Sequence, residues 1–170
     1  MSAVPFPSTD QVRAIPHTHD GRVAPQFIDA NGHMNVRHYL DAGAMSADRA
    51  LRDIGVDDEY RERRRLGVFT VEHHIRYLGE MHEGDLFTAH PLVLERSDKA
   101  AHFLSFILNQ TGDWLAATLE IVTVHVSLDT RRPTPYPDDI AAGFDKWIAR
   151  RDDVTWQVPV SGSMGVRRKA

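Results

Sequence analysis

An α+β fold, with a curved antiparallel sheet wrapped around one long central helix, is predicted by three features of the sequence. A polar turn from Asp29 to Asn35 opens onto a helix of about Val36 to Ile54, along which Tyr39, Leu40, Gly43, Ala44, Ala47, Leu51 and Ile54 recur at helical spacing. From Val68 onward the apolar period falls to two, and four successive strand-like runs follow. Short polar connections separate those runs, so strands adjacent in sequence are expected to pair antiparallel and to fold over the helix.

Residues 1–22 mix Pro5, Pro7 and Pro16 with polar side chains and show no sustained periodicity, which predicts an extended N-terminal arm. His17 and His19 form an H-x-H pair, but no further ligands follow at zinc-hydrolase spacing, and no metal is expected. Val23 to Ile28 is apolar enough for a first strand. Gly32 admits turn conformations closed to other residues and Asn35 is a good N-cap. At ~1.5 Å per residue the helix is just under ~30 Å long, the width of a small sheet. Gly55 supplies its stop.

Asp57 to Arg65 reads as a charged surface connection; Arg61, Arg63, Arg64 and Arg65 are either phosphate contacts or a solvated charge run. In the strand Val68 to Leu78, alternation puts Phe69, Val71, His73, Ile75 and Tyr77 toward the helix and Thr70, Glu72, His74 and Arg76 away from it. Leu86 to Glu95 is the next strand, where Pro91 demands a bulge or an unpaired edge. Ala100 to Leu108 follows, and then Trp114 to Leu128, whose nearly continuous apolar run predicts a central strand covered on both faces. After a proline-rich exit, Pro137 at a helix N1 position and the stripe Ile140, Ala141, Phe144, Trp147 and Ile148 predict a short C-terminal helix. Residues 152–170, ending in the basic Arg167, Arg168 and Lys169, read as a flexible tail, although Val154, Trp156 and Val158 alternate as an edge strand would. One domain over 23–151, between arm and tail, fits a chain of 170 residues.

A net charge of −4 gives no electrostatic reason to expect nucleic acid or a membrane surface as partner. The absence of cysteine excludes thiolate nucleophiles and disulfides. Met1 to Thr9 lacks a basic region followed by an apolar run, and no apolar segment approaches the ~18 residues of a membrane span. A soluble, cytoplasmic protein is expected.

The chemistry concentrates where the helix begins. Asp29 stands just ahead of a helix whose first N–H groups lack intrahelical partners and carry partial positive charge, so a nucleophile or base lies beside a site that polarises an electrophile. Asp29, Gly32, His33, Asn35 and Tyr39 together match D-x-x-G-H-x-N-x-x-x-Y, and the stretch resembles the signature of hotdog-fold acyl-CoA thioesterases of the 4-hydroxybenzoyl-CoA thioesterase branch. The segments Thr70 to Glu80 and Leu119 to Val126 are similar to the betainyl-CoA thioesterase module that accompanies carnitine dehydrogenase. The resemblance spans roughly Gln26 to Pro137. It implies a hotdog fold, a cofactor-free thioesterase acting on an acyl-CoA in carnitine metabolism, and a homodimer or homotetramer with sites formed between subunits.

Within that resemblance Asp29 attacks the thioester or activates a water, and a backbone donor at Val36 holds the carbonyl oxygen. His33 and Asn35 bind or orient water, with packing and simple capping as the plain alternatives. Glu72 and His74 share a strand face as an acid/base pair or as surface charges. Gly32 and Tyr39 belong to the substrate-binding stretch. A trimethylammonium acyl group calls for aromatic faces, for which Tyr77, Phe103, Phe106 and Trp114 are candidates. Rival readings on the same fold are a non-catalytic acyl-CoA sensor and a hydratase or dehydratase.

Overall fold

The structure is a computed structural model and describes residues 4–166. Helix α2, Val36–Asp53, is the axis of the molecule. It is capped by Asn35 and ends before Gly55, whose φ of 95° is the left-handed stop expected there. Its face of Tyr39, Ala42, Gly43, Ala47, Ala50 and Leu51 is buried against the sheet. Small residues let it lie close: a Cβ on Gly43 would come within 2.7 Å of a Leu119 methyl.

The sheet has five antiparallel strands in the order β1-β3-β4-β5-β2: β1, His19–Arg22; β2, Leu66–Tyr77; β3, Leu86–Arg96; β4, Ala100–Asn109; β5, Trp114–Ser127. Four of these and the long helix were expected, and the result is the hotdog arrangement. β5 is paired on both sides and buried along most of its length, with β4 at the middle position. Pro91 lies beyond the last β1 partner, Ala89, where β3 has no neighbour needing its N–H. Helix α4 is Asp138–Ala149, with Pro137 as its N-cap, one place before N1, and Ile140, Phe144 and Trp147 buried.

Four expectations are corrected. The first strand is His19–Arg22, and Val23 to Ile28 is not one, because Pro25 starts a 3-10 turn in which Phe27 N–H donates to Ala24 O and Ile28 N–H to Pro25 O. The extended arm instead holds helix α1, Thr9–Arg13, with a Ser8/Gln11 capping box, and strand β1. Asp57 to Arg65 is no loop. Asp57 accepts from Tyr60 N–H at 2.8 Å and starts helix α3, Asp58–Arg64, which buries Tyr60. Its arginines meet carboxylates: Arg61 meets Asp48 and Asp58, Arg63 meets Glu59, Arg64 meets Asp139, and Arg65 meets Asp129. Finally, a bulge between Thr70 and Glu72 breaks the alternation of β2. Leu66, Val68 and Ile75 pack on the helix side, while Phe69 lies under the Arg131 guanidinium and Val71 is 59% exposed.

Two cores result. The larger lies between α2, α4 and the inner sheet face. On the outer face Leu92, Leu94, Leu104, Phe106 and Leu108 are covered by Val12 and Ile15 and by Val154, Trp156 and Val158. The latter three form no strand, and the described part of the expected tail lies against the domain. Arg167, Arg168 and Lys169 lie outside the described residues. His17 stacks edge-on against His90 and His19 against Phe87. Among the described residues no helix is long and apolar enough to cross a membrane.

Candidate active site

The turn ahead of α2 is closed by its own backbone. Asp29 N–H donates to His33 O at 3.1 Å, Gly32 N–H donates to Asp29 O at 3.0 Å, and Ile28 bridges Met34. Gly32 sits at φ 84°, a conformation that strains any side chain. Met34 N–H donates to Met81 O at 2.7 Å and Asn35 N–H to Phe27 O at 2.8 Å, which fixes the turn to the segment leaving β2 and to the start of the loop.

Asp29 is half-buried, and its two oxygens have different partners. One accepts Asn31 N–H at 2.8 Å; the other accepts the Asn35 side-chain amide at 3.2 Å. The Asn35 amide oxygen in turn accepts Arg37 N–H at 3.2 Å as the helix cap. One asparagine therefore holds the carboxylate and the helix start in fixed relation. Val36 heads that helix and is 52% exposed, so its backbone N–H stands at the positive end of the dipole on a solvent-facing residue.

Beside Val36 a cleft of about 360 Å³ is lined by His33, Val36, Tyr39, Tyr77, Leu78 and Glu80. The buried Tyr39 hydroxyl donates to Gly79 O at 3.2 Å and accepts Met81 N–H at 2.9 Å, which pins the cleft wall to α2. The Tyr77 hydroxyl lies 3.5 Å from Val36 O. Burial pushes both phenols above their ordinary range, so they stay neutral. His33 Nε2 is 3.8 Å from Glu80 Oε1. His38 stacks on Phe27 with centroids 3.9 Å apart; burial first and Arg37 second lower its pKa, which leaves a neutral ring.

Of the residues singled out from sequence, the fold brings Asp29, Gly32, His33, Asn35, Val36, Tyr39 and Tyr77 together. Trp114 stands behind the cleft wall against Gly79, where an added Cβ would meet its ring at 2.7 Å. Phe103 is fully buried in the larger core against Phe144, and Phe106 in the outer one against Trp156, so neither reaches the cleft. Glu72 and His74 do share a face, but it is the sheet face turned away from α2, where His74 lies 3.6 Å from the buried Glu120. Sequence reasoning missed Glu80. Its signals were an acidic residue three positions after the end of β2 at Tyr77 and its place at the close of the resembling segment Thr70 to Glu80.

Residues 23–144 match the family model of the thioesterase-like superfamily. An L-carnitine dehydrogenase/betainyl-CoA thioesterase of Ruegeria pomeroyi is 41% identical over 117 residues, which are 68% of this chain and 23% of that protein. The chain thus spans about a quarter of the length of such two-activity relatives. A betainyl-CoA thioesterase of Pseudomonas aeruginosa is 30% identical over 126 residues, 74% of this chain and 79% of that one. Among solved structures, a Staphylococcus aureus protein in complex with CoA superposes with a TM-score of 0.80 at 23% identity, over 90% of this chain and 97% of that chain, and shares the fold.

Proposed function

The chain belongs to the thioesterase-like superfamily, and from that premise we propose that it hydrolyses a small acyl-CoA, betainyl-CoA, to the free acid and CoA. The observation that carries this reading is the Asp29–Asn35–helix arrangement. A carboxylate is held by Asn35 while the same side chain caps the helix that offers Val36 N–H. In this reading the thioester oxygen lies at that N–H, where negative charge developing on it is stabilised. Asp29 either deprotonates a water that adds to the carbonyl carbon, or adds itself to give an acyl-aspartyl anhydride that a water then hydrolyses; in both cases the C–S bond breaks and the CoA thiolate departs and takes a proton from solvent. The relatives' names support the betainyl group, whose acyl portion is small enough for the cleft beside Val36. We also propose that two copies associate along the uncovered edge of β2.

The test is release of CoA thiol from betainyl-, acetyl-, longer aliphatic and 4-hydroxybenzoyl-CoA. Turnover that falls at least ~10³-fold in Asp29→Ala, with an unchanged far-UV spectrum, supports the assignment. Tight acyl-CoA binding without turnover of any substrate would overturn it in favour of a sensor.

A further inference from the structure

In a betainyl thioester the quaternary nitrogen is only two bonds from the carbonyl carbon. If that carbonyl oxygen is held at Val36 N–H, the cation must lie immediately beside Val36. A trimethylammonium group has no N–H to donate, so it is recognised by aromatic faces and by negative charge rather than by hydrogen bonds.

The cleft beside Val36 has both. Tyr77 is 47% exposed and touches Val36 through its hydroxyl, and its ring meets Tyr39 edge-to-face with centroids 5.5 Å apart and an interplanar angle of 85°. That packing holds the Tyr77 ring while leaving much of it open to the cleft. Glu80 lines the same cleft, and its ion partners among the described residues are two histidines, His33 at 3.8 Å and His82 at 4.0 Å, with no arginine or lysine. Of the neighbouring cations, Arg37 turns its Nε to His38 at 3.1 Å and Arg76 donates to Pro159 O at 3.0 Å. The helix start, by contrast, favours negative charge. The two ends of one short acyl group, a developing oxyanion and a fixed cation, therefore meet surroundings of opposite sign.

We propose that Tyr77, backed by Tyr39, and Glu80 form a cation subsite that selects acyl groups carrying a quaternary ammonium next to the thioester. The subsite rests on the thioesterase reading above and assigns the selectivity to named side chains. It differs from a merely apolar acyl pocket in one respect: it distinguishes charge at constant shape.

3,3-Dimethylbutyryl-CoA is the neutral isostere of betainyl-CoA, with carbon in place of nitrogen, and the full-length protein is assayed with both. Wild type is expected to favour betainyl-CoA in kcat/KM by about tenfold or more. Glu80→Gln and Tyr77→Leu lower that ratio severalfold, toward the value that the greater intrinsic reactivity of the ammonium-bearing thioester alone sets, while Tyr77→Phe, which keeps the ring, retains most of it. Because Glu80 is a solvent-facing side chain, Glu80→Gln keeps the test open should Tyr77→Leu fail to fold. Equal kcat/KM for the two substrates in wild type, or equal losses on both in Glu80→Gln and Tyr77→Leu, would overturn the subsite and leave the thioesterase reading standing. Absence of turnover with every acyl-CoA would overturn both.

Discussion

At the scale of single residues, Asn35 is the most informative position, because one amide does two separable jobs. Its oxygen caps α2 at Arg37 N–H and its NH₂ holds Asp29. Serine caps as well as asparagine but is too short to reach the carboxylate. Asn35→Ser is therefore expected to leave stability within a few tenths of a kcal/mol while thioester turnover falls. Asn35→Ala should lose turnover and about 1 kcal/mol as well. Urea melts and CoA release on both variants check this; equal stability loss in the two would remove the capping argument. Asp29, Gly32, Asn35 and Val36 were legible in sequence because the turn and the cap are local, made within a few residues of chain. Glu80 was not, because it reaches the cleft through a tertiary bond, Met34 N–H to Met81 O, that no local pattern encodes. Phe103 shows the opposite failure: an aromatic residue in a strand has a chemistry but no address until the register is known, and this one lies in the core.

Among the elements, the long helix and the four strands after it followed from period and length, while the departures were where one residue changes the geometry. The β2 bulge inserts one residue and exchanges the faces of everything before it, which is why Phe69 and Val71 miss the helix side. Val154, Trp156 and Val158 alternate like a strand, yet the segment 154–166 lies across the outer face rather than along an edge, held there by carboxylates. Ser161 N–H donates to both oxygens of Glu120, at 2.9 and 3.0 Å, and Val166 N–H donates to Glu95 at 3.1 Å. Arg76 donates to Pro159 O at 3.0 Å. Glu120 is 2% exposed; burial alone would raise its pKa, but the His102 ring 3.7 Å away and the hydrogen bonds from Ser161 outweigh that and hold it below its ordinary value. A lowered folded-state pKa means the stabilisation is complete above the unfolded value and disappears as pH falls through the folded one. Glu120→Gln is thus expected to cost about 1–3 kcal/mol near neutral pH. That cost should shrink as pH drops below the usual carboxylate range, where wild type has lost the same charge. Urea denaturation as a function of pH measures it, and a pH-independent difference would show that packing, not ionisation, holds the segment.

For the whole molecule, the decisive feature is that the sheet's two edges are treated differently. At one end β1 pairs with β3 over four positions, and beyond it Arg151 donates to Leu94 O at 3.1 Å, so that side is covered by the chain's own C-terminal part. At the other end β2 runs for 12 residues with only β5 beside it, and Val71 stands 59% exposed at its bulge. A long edge with unpaired backbone groups is a template for another strand, and a second copy of the same edge satisfies it through a two-fold axis. An isologous contact of this kind brings a residue near the middle of the strand close to its own counterpart, so a charge introduced there meets itself. Val71→Asp, beside Glu72, should then raise the dimer dissociation constant by at least ~tenfold in sedimentation velocity, through like-charge repulsion and the poor strand propensity of aspartate. Thioester turnover should fall at protein concentrations where the variant is monomeric and recover where it dimerises, if the site is completed across the interface. Wild-type protein that sediments as a monomer at micromolar concentration while turning over its substrate would refute the association and confine the site to one chain.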